Sequence, residues 1–266
     1  MKPFDKFRNR LKKFGLYAAL KLTWAKIMVG RNRQFIKDLK TPEDRFTKIY
    51  STNHWNSLES KSGEGSTLEN TESIRNELPK IFEKYKIRSM LDAPCGDFNW
   101  MQSVTQNSSI KYIGGDIVKP MTEKNQAQYG NKDTSFVHLD LTKNSLPMVD
   151  ILFCRDCLFH LSYQDIEKVL ENFLSSKITY LLTTSNVAFD DPRINNSNIT
   201  TGDMRPIDLF SEPFSLSQEY VLESISDHMV SLSTERTMVL VDRSAVQKLL
   251  ANLTKNIGAT SSIPSL

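Results

Sequence analysis

Asp156 and His160 stand four residues apart in Arg155-Asp156-Cys157-Leu158-Phe159-His160. A carboxylate and an imidazole at that spacing can share one face of a helical turn. They are the candidate acid–base residues of this chain, because an imidazole titrates near neutral pH and can take the proton of a poor nucleophile such as a hydroxyl. A second set precedes them. Asp92 closes the apolar run Met90-Leu91, and the turn Ala93-Pro94-Cys95-Gly96-Asp97 follows at once. An acid at a strand end, with glycine in the next turn, lets backbone approach a nucleotide-like ligand in an α/β sheet. Asp116 ends another apolar run, Tyr112-Ile113-Gly114-Gly115. A carboxylate there can accept from both hydroxyls of a ribose. Pro94 and Phe98 stand where a pyrophosphate cradle would need glycine, so the turn suits a cofactor without phosphates. Each acid also has a plainer role open to it. Asp92 can cap a helix, Asp116 can sit in a turn, Asp156 can pair with Arg155, and His160 can pack beside Phe159 and Leu161.

Placing these residues requires alternating elements. Strand-like apolar runs fall at 89–92, 112–116, 135–139, 150–154 and 179–184, with the clearest helical pattern between them at 162–174. A helix is expected from residue 71 to about 85, with Ile74, Leu78, Ile81 and Phe82 on one face. The alternation implies an α/β fold, a doubly wound, mainly parallel sheet of Rossmann-like type. Runs at 220–226 and 237–241 predict an antiparallel pair at its edge. Residues 59–71, polar with two glycines, read as a flexible loop that can close over the site.

The formal charge of +3 hides an asymmetry. Residues 1–40 hold twelve Lys/Arg against Asp5 and Asp38, and the remainder is net acidic. Phe4, Phe7, Leu11 and Phe14 recur at helical spacing among the lysines, so residues 1–45 read as a basic amphipathic helical arm. Such an arm either lies on an anionic membrane surface or packs on the body. No reading motif for nucleic acid accompanies it, and none is expected as a partner. The body spans residues 46–250, and 251–266 read as a flexible tail. No apolar run reaches the length of a membrane span, and no signal peptide is present, so a cytoplasmic location is expected, peripheral on the inner membrane face if the arm binds lipid. Three cysteines, Cys95, Cys154 and Cys157, argue against a disulfide framework. Cys154-Arg-Asp-Cys157 lacks the second pair a zinc site needs. Asp190-Asp191-Pro192 reads as a turn as readily as a carboxylate site, and no metal ligands are assigned.

Leu91-Asp92-Ala93-Pro94-Cys95-Gly96-Asp97 resembles the first motif of class I S-adenosylmethionine-dependent methyltransferases, commonly Leu-Asp-x-Gly-Cys-Gly-x-Gly. Tyr112-Ile113-Gly114-Gly115-Asp116 looks like their second strand, and Phe136-Val137-His138-Leu139-Asp140-Leu141 like their third. The run from Asp150 through Cys154, Arg155 and Asp156 to His160 looks like the fourth strand and the loop facing the methyl group. All four arrive in family order. The resemblance implies S-adenosyl-L-methionine as cofactor, contacted by Asp92, Pro94, Cys95, Gly96, Asp116, Ile117, Asp140, Leu141 and Arg155. Asp116 would take the ribose and Asp140 the adenine amino group.

A narrower resemblance covers residues 45–245. Trp55, the loop Glu59 to Ser66, Pro94 to Asp97 with Trp100-Met101, Cys154-Arg155-Asp156, Thr201-Gly202-Asp203-Met204-Arg205-Pro206 and Pro213-Phe214 look like a bacterial subgroup associated with capsule and lipopolysaccharide assembly. It implies O-methylation of a glycan or sugar acceptor, with Arg205 and Trp55 on the substrate side and His160 or Asp156 as base. Other readings are a methyltransferase on a small molecule or lipid, a nicotinamide-dependent oxidoreductase, and a cofactor-binding scaffold without turnover. The oxidoreductase would need the glycine turn that Pro94 and Phe98 interrupt.

Overall fold

The computed structural model describes residues 38–186, 196–227 and 236–260. The chain divides into two compact units, 1–41 and 42–266. Most of the basic arm, Asp190 and Asp191, and the last six residues lie outside the described residues.

Seven strands form one sheet. They are β1 (Ser89–Asp92), β2 (Lys111–Asp116), β3 (Thr134–His138), β4 (Ile151–Cys154), β5 (Tyr180–Asn186), β6 (Glu223–Ser226) and β7 (Arg236–Asp242). Their order is β3-β2-β1-β4-β5-β7-β6. The first five run parallel, and β7 is antiparallel to both β5 and β6. The doubly wound sheet and its antiparallel pair are therefore present, with β7 inserted inside β6.

Neighbouring residues along a strand bury to opposite faces, as a period of two requires when both faces are covered. Leu91, Leu152, Leu181, Val239 and Val241 join one apolar cluster. Met90, Ile151, Phe153, Leu182, Met238 and Leu240 join the other. The α-helices among the described residues are α1 (Pro42–Ser51), α2 (Glu72–Lys84), α3 (Met101–Gln106), α4 (Lys119–Tyr129), α5 (Tyr163–Ser175) and α6 (Arg243–Thr260). The predicted face of α2, Ile74, Leu78, Ile81 and Phe82, is buried in the second cluster. The Ser162 side chain caps α5 by accepting from the Asp165 amide at 3.2 Å, which ends the preceding loop and starts the helix.

Two boundaries differ from expectation. The helix α1 runs across residue 45, the predicted end of the arm, because Pro42 with Glu43 and Asp44 makes a helix start. The helix α6 continues through residues 251–260 instead of fraying, because Leu253 is buried in the first cluster and anchors its last turns. Among the described residues no helix is long and apolar enough to cross a membrane.

The chain leaves β1 to build β2 and β3 on one side, then returns to build β4 and β5 on the other. The carboxyl ends of β1 and β4 therefore flank the switch point, where open α/β sheets bind ligands. Because β7 is antiparallel, its first residue, Arg236, pairs with Asn186 at that same edge.

Candidate active site

A cavity of about 500 Å³ opens at the switch point. The residues assigned above to base, cofactor and substrate all line it. From β1 and its turn come Asp92, Pro94, Cys95 and Gly96, and from the end of β2 come Asp116 and Ile117. Asp140 and Leu141 follow β3; Arg155, Asp156 and His160 follow β4; Trp55 and Arg205 come from loops. The size falls in the range of cofactor and small-molecule sites.

Asp116 is buried, and each of its oxygens accepts one backbone amide, Oδ2 from Gly96 at 3.1 Å and Oδ1 from Val118 at 3.0 Å. The Ile117 amide also stabilises the carboxylate, and of the roughly four acceptor positions a carboxylate offers, some remain for hydroxyl donors. Burial pushes its pKa up to about 6 against the pull of those amides. Asp92 is also buried; its Oδ2 accepts from the Tyr112 hydroxyl at 2.7 Å, and burial pushes its pKa up to about 8. Asp140 is more fully used. Its Oδ1 accepts from the Thr142 amide and hydroxyl at 2.9 and 2.6 Å, and its Oδ2 meets Lys143 Nζ at 2.9 Å. Burial raises its pKa, but Thr142 and Lys143 outweigh that and hold it below the ordinary carboxylate range.

The turn after β1 has two tight features. Gly96 adopts φ +57, and a Cβ there would stand 2.3 Å from Ser62 Oγ. Phe98 adopts φ +60, the backbone a glycine would favour, and its ring packs 4.9–5.2 Å from Tyr112, Tyr129 and Phe136. Phe98 thus fills the core under the turn instead of the ligand space. Asp97 points the other way. Its carboxylate accepts from the Ser60 hydroxyl at 2.9 Å, the Lys61 amide at 2.7 Å and the Ser62 hydroxyl at 3.2 Å. Glu59 Oε1 accepts from Asn99 Nδ2 and the Leu68 amide, both at 2.7 Å. The segment read as a flexible loop is therefore stitched to the β1 turn, with Ser62, Gly63 and Glu64 on the cavity wall.

The close fit at Gly96 gives a measurable expectation. Gly96→Ala forces a side chain into positive φ and against Ser62, and is expected to cost about 2–4 kcal/mol in denaturant unfolding. Adding Ser62→Gly should recover part of that loss by removing the contacting hydroxyl. Equal stability of wild type and Gly96→Ala would refute the close approach.

Arg155 and Asp156 after β4 join Asp227 and Arg236 in a network of four charges, of which Asp156 is half-buried and the others buried. Arg155 meets Asp227 through Nε at 2.9 Å and Nη2 at 3.0 Å, and Asp156 through Nη1 at 3.3 Å. Arg236 meets Asp156 through Nη1 at 2.8 Å and Asp227 through Nη2 at 3.0 Å. The Arg155 guanidinium also lies 5.4 Å from the Trp100 ring centre. Arg155 borders the cavity, but its donors are turned to these carboxylates. Asp156 sits between two guanidinium groups. Burial raises its pKa, yet Arg155 and Arg236 hold it below the ordinary carboxylate range. A carboxylate held that way is a fixed anion and a poor proton acceptor.

His160 differs. Its Nδ1 lies 2.9 Å from the Asp203 carbonyl oxygen. A carbonyl only accepts, so Nδ1 carries the proton, and Nε2 of the neutral ring keeps a bare lone pair. Burial pushes its pKa down to about 4, against the opposite pull of the Asp203 carbonyl and Asp156, so the ring does not titrate near neutral pH as its residue type suggested; what separates it from Asp156 is an Nε2 lone pair free of any cation. The ring packs among Phe159 at 4.3 Å, Trp55 at 5.1 Å and Phe46 at 6.3 Å between centroids. Sequence reading missed Phe46 and Tyr50 of α1, the Asp203 carbonyl and the Asp227–Arg236 pair.

Cys95, Cys154 and Cys157 are buried and free. Among the described residues no group of three His, Cys, Asp or Glu is placed to hold a metal.

No protein-family model matches the chain, and no curated protein matches it. Solved structures do. Human N-acetylserotonin methyltransferase, solved with S-adenosylmethionine, superposes with TM-score 0.52 at 12% identity, over 75% of this chain and 59% of that one. PigF, solved with S-adenosylhomocysteine, gives 0.54 at 11% identity over 89% and 72%. The Burkholderia thailandensis 1,6-didemethyltoxoflavin-N1-methyltransferase, solved with its substrate and S-adenosylhomocysteine, gives 0.51 at 12% identity over 77% and 91%. This chain has the Rossmann-like fold of those methyltransferases, and it spans under two thirds of the human enzyme's length.

Proposed function

We propose that this protein is an S-adenosylmethionine-dependent methyltransferase that O-methylates a sugar of a surface or lipid-linked glycan. The observation that carries the reading is His160: a neutral imidazole, its tautomer set by a backbone carbonyl, lining the same cavity as the strand-end acids Asp92 and Asp116.

The residues present fit the cofactor. Asp116 has acceptor capacity beyond its backbone amides for ribose hydroxyls, and the Gly96 backbone borders the cavity beside it. Ile117 and Leu141 provide apolar walls for a purine, with Asp140 nearby for its amino group. Pro94 and Cys95 shape the turn, and the buried Asp92 carboxyl suits a cationic ligand that would return it to the ionised form. When bound, the cofactor supplies a methyl group on a sulfonium sulfur. His160 Nε2 accepts the acceptor hydroxyl's proton as the oxygen becomes nucleophilic. Asp156, fixed between two arginines, contributes a negative potential that favours the resulting imidazolium. Trp55 stands over His160 with planes inclined by 35°, an aromatic wall suited to the apolar face of a sugar ring. Arg205 completes the acceptor side.

Calorimetric titration with S-adenosylhomocysteine and NADH tests the reading. Binding of the first and none of the second is expected. Asp116→Ala should weaken S-adenosylhomocysteine by about 10–100-fold, the worth of hydrogen bonds to a charged acceptor. The ribose hydroxyls need the ionised carboxylate, and burial raises its folded pKa to about 6. Wild-type affinity should therefore hold above that pH and decline as pH falls through it. Heat from NADH alone would overturn the assignment.

A further inference from the structure

The Arg205 guanidinium is an unmatched charge in the cavity wall. Arg205 is 3% exposed. Its Nη1 donates to the Leu158 carbonyl at 3.0 Å, while Nε and Nη2 are buried and make no hydrogen bond. The buried arginines nearby, Arg155 and Arg236, each meet two carboxylates. Arg205 meets none among the described residues. One face of the guanidinium lies 5.8 Å from the Tyr163 ring centre. Burial lowers its pKa to about 10, which leaves it charged at neutral pH.

A buried cation without a partner is costly, and a fold that keeps one has a use for it. Here the fold fixes it in place. The Arg205 amide donates to the Phe159 carbonyl at 3.1 Å, and the Gly202 amide to the His160 carbonyl at 2.8 Å. Asp203, between them, orients the His160 ring. One short segment thus carries both the group that sets the base and the unmatched cation. Nε and Nη2 are covered here, and a small turn of the side chain must uncover them to the cavity; they are the pair of parallel donors with which arginine grips two oxygens of one carboxylate or phosphate.

We propose that Arg205 binds an oxyanion of the acceptor, a carboxylate or phosphate carried by the sugar that is methylated. The inference rests on the methyltransferase reading of this cavity and narrows its substrate to acidic sugars. A neutral sugar would leave both donors buried and unpaired, which is the situation that gives polar sites large discrimination.

The test titrates four probes into the full chain saturated with S-adenosylhomocysteine: glucuronate, glucuronate methyl ester, glucose 6-phosphate and glucose. At least one acid should bind tenfold or more tightly than glucose. Preference for glucuronate over its own ester identifies a carboxylate; preference for glucose 6-phosphate identifies a phosphate. Arg205→Gln should reduce the preferred acid to the level of glucose without changing S-adenosylhomocysteine affinity. Arg205→Lys, which keeps charge but loses the paired donors, should fall between. Acids that bind no better than glucose to the wild type overturn the inference, whether or not the variants fold. So does a preference that survives Arg205→Gln. Failure of S-adenosylhomocysteine itself to bind would instead remove the methyltransferase reading.

Discussion

Replacing His160 by alanine is expected to lower kcat by about 10²–10⁴-fold and to leave S-adenosylhomocysteine affinity within about twofold. The split follows from position. The ring packs among Phe46, Trp55 and Phe159 and bonds to the Asp203 carbonyl, so its loss removes the proton acceptor and leaves the hydrogen bonds of Asp116 and the β1 turn in place. The pH profile should carry the same signature. A base works in its neutral form, and burial puts the folded pKa at about 4. The His160-dependent rate should therefore be complete above about pH 5 and fall as pH drops through 4. Nitrogen-detected NMR gives a check that needs no acceptor: Nδ1 protonated and Nε2 bare at pH 7. An imidazolium at pH 7, or His160→Ala retaining a third of wild-type kcat, would defeat the assignment of His160 as base.

The second large effect concerns stability. Asp227 is fully buried and faces both Arg155 and Arg236. Removing Asp227 leaves two buried cations sharing one remaining carboxylate, Asp156. Asp227→Ala is expected to destabilise by about 3–5 kcal/mol. For a domain of this size that corresponds to a Tm lowered by roughly 6–20 °C. The pair Asp227→Leu with Arg155→Met removes both charges together. It should cost less than the sum of the single changes, with a coupling of at least about 1 kcal/mol. Strict additivity in denaturant unfolding would mean that the network does not hold together as the geometry indicates. Because Asp156 is steadied by the same arginines, Asp227→Ala should also reduce turnover more than it reduces cofactor binding.

Strand positions were readable because each apolar run ends in a residue that cannot continue it, such as Asp92, Asp116 or the charged pair after Cys154. Observed strand bounds match the readings or differ by at most three residues. The site residues were readable where a side chain announced its chemistry at a strand end. Three things were not. The orientation of His160 comes from a backbone carbonyl, which has no signature in the side-chain alphabet. The ion network joins Arg155 to Asp227 across 72 positions, and neither is unusual in its local sequence. The 59–71 segment looks unstructured alone, since its order comes from Asp97 and Asn99, some 36 to 40 positions away. Locally polar sequence says only that a segment lacks a core of its own.

The insertion of β7 between β5 and β6 has a consequence for how the molecule is made. Synthesis proceeds from the amino end, so the turn after β1 and both strand-end acids emerge long before residues 223–242. Until those residues arrive, β5 is an open edge, Arg155 has no Asp227, and Asp156 has no Arg236. Closing that edge pairs residues far apart in sequence, the slow kind of contact. A nascent chain with five strands would already hold the cofactor's recognition groups over an unfinished floor. On the proposed reading, the cofactor could bind before the last two strands dock and would then act as a template for the final stage of folding.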